Sequence, residues 1–272
     1  MASAAQMIME PIAAYCEQQL DERYSVSLAF FRSRGRDVED VHWYGFNEDR
    51  ERPPASLLKV GIVMMAFERG AEGELDLEQR IPVPALGTTA ERSLLNLFAG
   101  ASSLTLVELA ALALCVSDNR ASDALLHRLT AERFRAWIKE RYQSDIPDYV
   151  GFTDRDLVTS VPNVLASPRV FSRQLIDLVS GPTYAPILDI MGNSLSLSRL
   201  AYDLPPGLTH FNKTGTLTPS GVFNDMILLK AQDACVAATF MSHGAESKVV
   251  AEAKMRMIGR LLGGGLLQWK AT

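Results

Sequence analysis

The chain has 272 residues, 47% of them hydrophobic and 22% charged, with a formal net charge of −5. That length buries a large core in one or two domains, and the balance is that of an ordinary soluble globular protein. The charge offers no basic footprint for nucleic acid, and no membrane-spanning run is apparent.

In chain order, Pro11 to Leu20 reads as a helix rich in Ala and Glu. Met1 to Leu20 contains Glu10 and neither Lys nor Arg. It lacks the basic region of a secretory leader, so the expected location is cytoplasmic. Val26, Leu28 and Phe30 alternate with Ser25, Ser27 and Ala29, the period of a half-buried strand. A second strand is expected over Val41 to Phe46, and the charged, proline-bearing stretch Asn47 to Pro54 reads as a connecting loop. An apolar helix then opens at Ser56 and runs through Val60, Val63, Met64 and Phe67 to Gly70, which suits its C-cap. From there to about Ser180 the pattern is helical, most apolar over Leu106 to Val116. Strands are expected over Thr209 to Gly215, Val222 to Lys230 and Ala234 to Met241. The last pattern, Glu246 to Leu262, is amphipathic, stops at Gly263-Gly264-Gly265, and reads as a helix packed on the sheet rather than on a membrane surface.

This order implies two lobes: a discontinuous α/β sheet lobe, 1–55 plus 186–272, and an all-helical lobe, 56–185, inserted between its halves. Cys16, Cys115 and Cys235 have no paired spacing and read as free buried thiols. The four histidines show no ligand spacing, so neither a metal nor another cofactor is expected.

Three short motifs carry the chemistry: Ser56-Leu57-Leu58-Lys59, Ser117-Asp118-Asn119 and Lys213-Thr214-Gly215. A Ser-x-x-Lys arises by chance about once in such a chain, and each tripeptide in only roughly one such chain in twenty. All three in this order resemble the signature of penicillin-recognising serine enzymes, the class A β-lactamases and penicillin-binding proteins. The spacing of Ser56 and Ser117 is close to the class A interval. The run Leu104 to Leu109, leading into Leu114 to Leu126, is similar to the class A helix, turn and helix around the second motif. Phe223-Asn224-Asp225 falls where class A enzymes place an Asn-Asp at the start of a strand. The resemblance spans nearly the whole chain. It implies a β-lactamase/transpeptidase-like α/β fold, an α/β/α sandwich with an antiparallel sheet and an inserted all-helical lobe, with the site in the cleft between the lobes.

Ser56 and Lys59 share one face of a helix start. A serine hydroxyl is a weak nucleophile until a base takes its proton, and a lysine serves as base only when burial or nearby cations lower its pKa. Alone, Ser56 would read as an N-cap serine; beside the other motifs it reads as the nucleophile and Lys59 as its base. The resemblance implies that Ser117 relays a proton to the leaving nitrogen, and that Asn119 binds the substrate amide or holds Lys59. Asp118 is expected to point away and fix the turn. Lys213 would raise the local positive potential and, with Thr214 and Thr216, bind a substrate carboxylate. Gly215 would let substrate approach the strand. The oxyanion hole would be the N–H groups of Ser56 and Thr216. Arg199 could help bind an anionic substrate, but reads rather as a surface arginine.

One part of the class A pattern is broken. Those enzymes carry Glu-x-x-Leu-Asn on an Ω-shaped loop, its Glu activating the deacylating water. The nearest segment here is Asp154-Arg155-Asp156-Leu157-Val158. Asp154 and Asp156 read either as solvated loop charges or, Asp154 first, as a substitute base; the shorter carboxylate and the loss of the amide both weaken hold on a water. The stretch from Ser117 to Lys213 is also several residues shorter than usual. The leading expectation is a monomeric serine hydrolase forming an acyl-enzyme with a small-molecule acyl substrate, a β-lactam or related cyclic amide or ester. The alternative is a cytoplasmic esterase, amidase or amide-forming acyltransferase of small-molecule biosynthesis, in which a nucleophile other than water resolves the acyl-enzyme. A transpeptidase, or a non-catalytic ligand sensor with an unreactive Ser56, stays behind both.

Overall fold

The computed structural model describes residues 4–86, 93–98, 103–152 and 164–270. Five antiparallel strands form one sheet in the order β2-β1-β7-β6-β5. They are β1 (Tyr24–Arg34), β2 (Asp37–Phe46), β5 (Thr209–Leu217), β6 (Val222–Ala231) and β7 (Ala234–Ser242). A separate two-stranded ribbon pairs β3 (Arg80–Pro82) with β4 (Ser103–Thr105) inside the stretch that reads as helical in sequence.

The outer face of the sheet is closed by α1 (Ala4–Gln19) and by the C-terminal helix, numbered α8 (Lys248–Lys270). Ile8, Ile12 and Cys16 recur at helical spacing on α1 and bury against Val26, Leu28 and Phe30 of β1 and Leu262 and Leu266 of α8. That face carries α1 back to Ala4, so Pro11 lies inside the helix rather than at its start, despite the backbone hydrogen bond a proline removes. Helix α8 likewise does not stop at its glycines. A Cβ on Gly263 would come within 2.6 Å of Pro205 Cδ, and one on Gly265 would overlap Ile8. These residues are glycines because neighbouring segments press against the helix, and buried Leu262, Leu266 and Trp269 hold it through them.

The inner face is covered by α6 (Pro168–Ser180), and the helical block α2 (Leu58–Ala71), α3 (Leu106–Cys115), α4 (Asn119–Leu129), α5 (Ala131–Tyr142) and α7 (Ala185–Met191) shares one hydrophobic core with it. This is an α/β/α sandwich with an inserted helical lobe. Strand β1 is buried on both faces rather than half-buried, because α6 covers its small residues: Ser27 is fully buried, and the Ser172 hydroxyl donates to its carbonyl at 3.0 Å. Helix α2 ends beyond Gly70, at Ala71. Its stop is Gly73 at φ +75°, where the Glu74 N–H bonds Arg69 O and the Gly73 N–H bonds Gly70 O, a Schellman closure. The thiols of Cys16, Cys115 and Cys235 are all free. Among the described residues no helix is long and apolar enough to cross a membrane.

Candidate active site

Ser56 sits in a 3-10 turn, Ala55–Leu57, that runs into α2 and puts Lys59 in the first turn of the helix. Ala55 is left-handed at φ +50°, a region costly for a residue with a Cβ. Across the cleft, a Thr105–Glu108 capping box starts α3. Its far end delivers Ser117, also left-handed at φ +59°. Asp118 then caps α4, accepting from the Ala121 N–H at 3.0 Å, and its carboxylate also accepts from the Ser93 hydroxyl and the Leu94 N–H, each at 2.8 Å. Its role is the turn, as expected from sequence.

Both motif lysines are buried and converge on one hydroxyl. Lys59 Nζ donates to Ser117 O and Asn119 Oδ1, each at 2.6 Å, and lies 3.3 Å from Ser117 Oγ. Lys213 Nζ donates to the same Oγ at 2.9 Å and to Thr214 O at 2.7 Å. Burial, and next the charge of Lys59, hold the Lys213 ammonium well below its usual range, against the opposing pull of Asp225. Lys59 Nζ also lies 4.6 Å over the Phe152 ring. Phe152 is held there by its N–H, which donates to Asp123 of α4 at 2.8 Å.

Strand β5 brings Gly215 and Thr216 beside Ser56. A Cβ on Gly215 would lie 2.9 Å from Pro54 O and 3.2 Å from Ser56 N. The glycine therefore admits the Ser56 turn itself. The resulting cleft is lined by Ser56, Asn119, Tyr149, Phe152, Val164 and Thr216. Thr214 opens instead, with Thr216, onto a neighbouring recess bordered by Arg199, Tyr202 and Lys248.

Arg199 is not a surface residue: it is 3% exposed. Its guanidinium donates to the carbonyls of Gly215 (2.9 Å) and Asn224, to Thr216 Oγ1 (2.7 Å) and to Glu252 (3.4 Å). Acceptors for its N–H donors are what permit an arginine to be buried, and no local sequence signal marks them. Asp225, also fully buried, accepts from the Leu200 N–H at 3.0 Å and from Asn212 Nδ2 at 3.4 Å; burial lifts its pKa to about 7. Thus Lys59, Ser117, Asn119, Lys213, Gly215 and Thr216 surround or adjoin the Ser56 turn. Asp154 and Asp156 lie outside the described residues.

The sequence pattern of the Beta-lactamase enzyme family matches residues 30–266. No match to the chain was found among curated proteins. Several solved structures share the fold at low identity. A β-lactamase from Sphaerobacter thermophilus DSM 20745 superposes at TM-score 0.78 with 20% identity, covering 97% of this chain and 98% of that one. TLA-1, an extended-spectrum β-lactamase, gives 0.78 and 17%, covering 97% and 100%. PBP-A gives 0.75 and 20%, covering 97% and 96%, and a PBP-A mutant was solved as an acyl-enzyme complex with penicillin G.

Proposed function

The chain belongs to the β-lactamase enzyme family, and from that premise we propose that it is a serine hydrolase whose Ser56 is acylated by a β-lactam or a related cyclic amide or ester. The observation that carries this reading is the Ser117 hydroxyl, placed between two buried lysines at 3.3 and 2.9 Å. Such a pairing costs stability through desolvation and like-charge repulsion, and a proton relay is what it provides in return.

In this scheme Lys59 takes the Ser56 proton as the hydroxyl attacks the substrate carbonyl. The developing oxyanion is received by the N–H groups of Ser56 and Thr216, each such donor being worth on the order of a hundredfold to a thousandfold in rate. Ser117 passes a proton to the leaving nitrogen, and Lys213, which burial makes a ready proton donor, resupplies it. Asn119 holds Lys59 by the 2.6 Å bond. Thr214 and Thr216 present hydroxyls for the carboxylate of an anionic substrate, and Arg199 orients the second of them. Asp154 is the residue we assign to activating the deacylating water.

A second reading, transfer of the acyl group to an amine or alcohol, draws on Phe152, Tyr149 and Val164, which give the cleft an apolar wall beside Ser56. Intact-protein mass spectrometry after brief mixing with a fluorescent penicillin tests both. Hydrolysis predicts an adduct on wild type, none on Ser56→Ala, and a longer-lived adduct on Asp154→Asn. Acyl transfer predicts a stable wild-type adduct whose decay is accelerated by added amines. No adduct at all on wild type would overturn the β-lactam reading.

A further inference from the structure

The reaction centre is assembled from pieces far apart in the chain, the turn carrying Ser56 and the strand β5 carrying Lys213 to Thr216. Asn224 of β6 lies between them, fully buried. Its Nδ2 donates to the carbonyls of both Pro53 (2.9 Å) and Pro54 (3.2 Å), and its Oδ1 accepts from the Ser242 N–H (3.0 Å). Three of the amide group's four hydrogen-bonding sites, both N–H donors among them, are thereby engaged. Asn224 also faces Gly215 across the β5–β6 ladder, and the carbonyls of both residues accept from Arg199.

The turn so held is one that needs holding. Ala55 follows the two prolines at φ +50°, a conformation that persists only where surrounding structure over-determines it. The next residue is Ser56, whose N–H lies 3.2 Å from where a Gly215 Cβ would be. Removing the two hydrogen bonds would let the turn relax from β5.

We infer that Asn224 is a positioning residue: through the Pro53 and Pro54 carbonyls it holds the left-handed Ala55 turn against β5, and so sets the spacing between the N–H groups of Ser56 and Thr216. This rests on the acyl-enzyme reading above. A reaction centre misplaced by about 1 Å loses about a hundredfold in rate, while the groups assigned to grip the rest of the substrate stay in place. Asn224 therefore acts on the acylation step and hardly on the preceding non-covalent complex.

The test is stopped-flow acylation by a fluorescent penicillin, separating the dissociation constant of the first complex from the acylation rate constant. For Asn224→Ala the rate constant is expected to fall about 10- to 100-fold, and the dissociation constant to change less than about threefold. Asn224→Ser serves if the alanine variant does not fold. Ala55→Gly added to Asn224→Ala should recover part of the loss, because glycine adopts φ +50° without support. Val236→Ala, a core truncation on the outer face of β7, controls for general destabilisation and should leave acylation unchanged. Unaltered acylation in the Asn224 variants, or a loss that Val236→Ala reproduces at equal Tm, overturns the inference while the acyl-enzyme reading stands. A wild type that forms no adduct overturns both.

Discussion

The outer face of the sheet and the cleft are held together by different physics. Outside, α1 and α8 close over Val26, Leu28, Phe30, Ile227 and Phe240 by apolar burial, which is non-directional. Around the cleft, Lys59, Lys213 and Asn224 are all buried, and each is held by bonds of defined direction; Asp225, buried behind them on β6, is held in the same way by the Leu200 N–H. The two left-handed non-glycine residues that flank the chemistry, Ala55 and Ser117, belong to this second region. The contrast teaches where tolerance ends: a helix interface absorbs changes of shape up to the point of overlap, whereas a cluster of buried, hydrogen-bonded charges depends on each partner. The regions meet at Gly259 of α8, against which the Leu200 carbonyl packs, one residue from Arg199.

Four measurements sharpen or break this contrast. The largest effect belongs to the proposed relay: Lys59→Met should slow acylation by about 10²- to 10⁴-fold with only a small change in Tm, since two lost hydrogen bonds are offset by relief of the repulsion from Lys213. A parallel fall in Tm and rate would make Lys59 structural instead. Next comes pH. Asp225 is raised from its usual 3.8 to about 7 by burial, against the pull of Arg199, the Leu200 N–H, Asn212 and Lys213. Between those values the folded state holds a proton that the unfolded state has lost, so stability should fall as pH rises from about 4 to 7. The upper bound is about 4 kcal/mol. Thermal melts of Asp225→Asn across that window should lack this slope; an identical slope in the variant would remove Asp225 as its source.

The glycines provide the smaller effects. Gly259→Ala would drive a methyl group into the Leu200 backbone, and should cost about 1–3 kcal/mol by denaturant unfolding while disturbing the Arg199 turn. Gly264→Ala, five residues on, meets nothing within 4 Å and should stabilise the protein by roughly 0.5–1 kcal/mol through helix propensity alone. Equal effects at the two positions would mean that α8 does not pack against Leu200 as described.

Much of the sheet was legible in sequence, because β1, β6 and β7 announce themselves by short-range apolar patterning. The motif residues were legible too, through their types and spacing. Misreadings cluster where a distant segment decides. Pro11 reads as a helix start, but Ile8, Ile12 and Cys16 find a partner in α8 and extend the helix past it. Gly263-Gly264-Gly265 reads as a stop, but Pro205 and Ile8 require small residues within a continuous helix. Arg199 reads as exposed, since its acceptors lie on β5, β6 and α8 rather than nearby in the chain.

The sequence alone marked the candidate groups: a serine and a lysine on one helical face, a second serine before a capped turn, and a second lysine on a strand. Those features are local, written in side-chain type and in periods of two and 3.6 residues. Tertiary structure alone decided that both lysines meet on Ser117, that Arg199 and Asn224 reach the carbonyls around the Ser56 turn, and that Gly215 of β5 lies against that turn. Such facts come from the close approach and burial of residues far apart in the chain, where desolvation and hydrogen-bond direction rather than local propensity set the outcome.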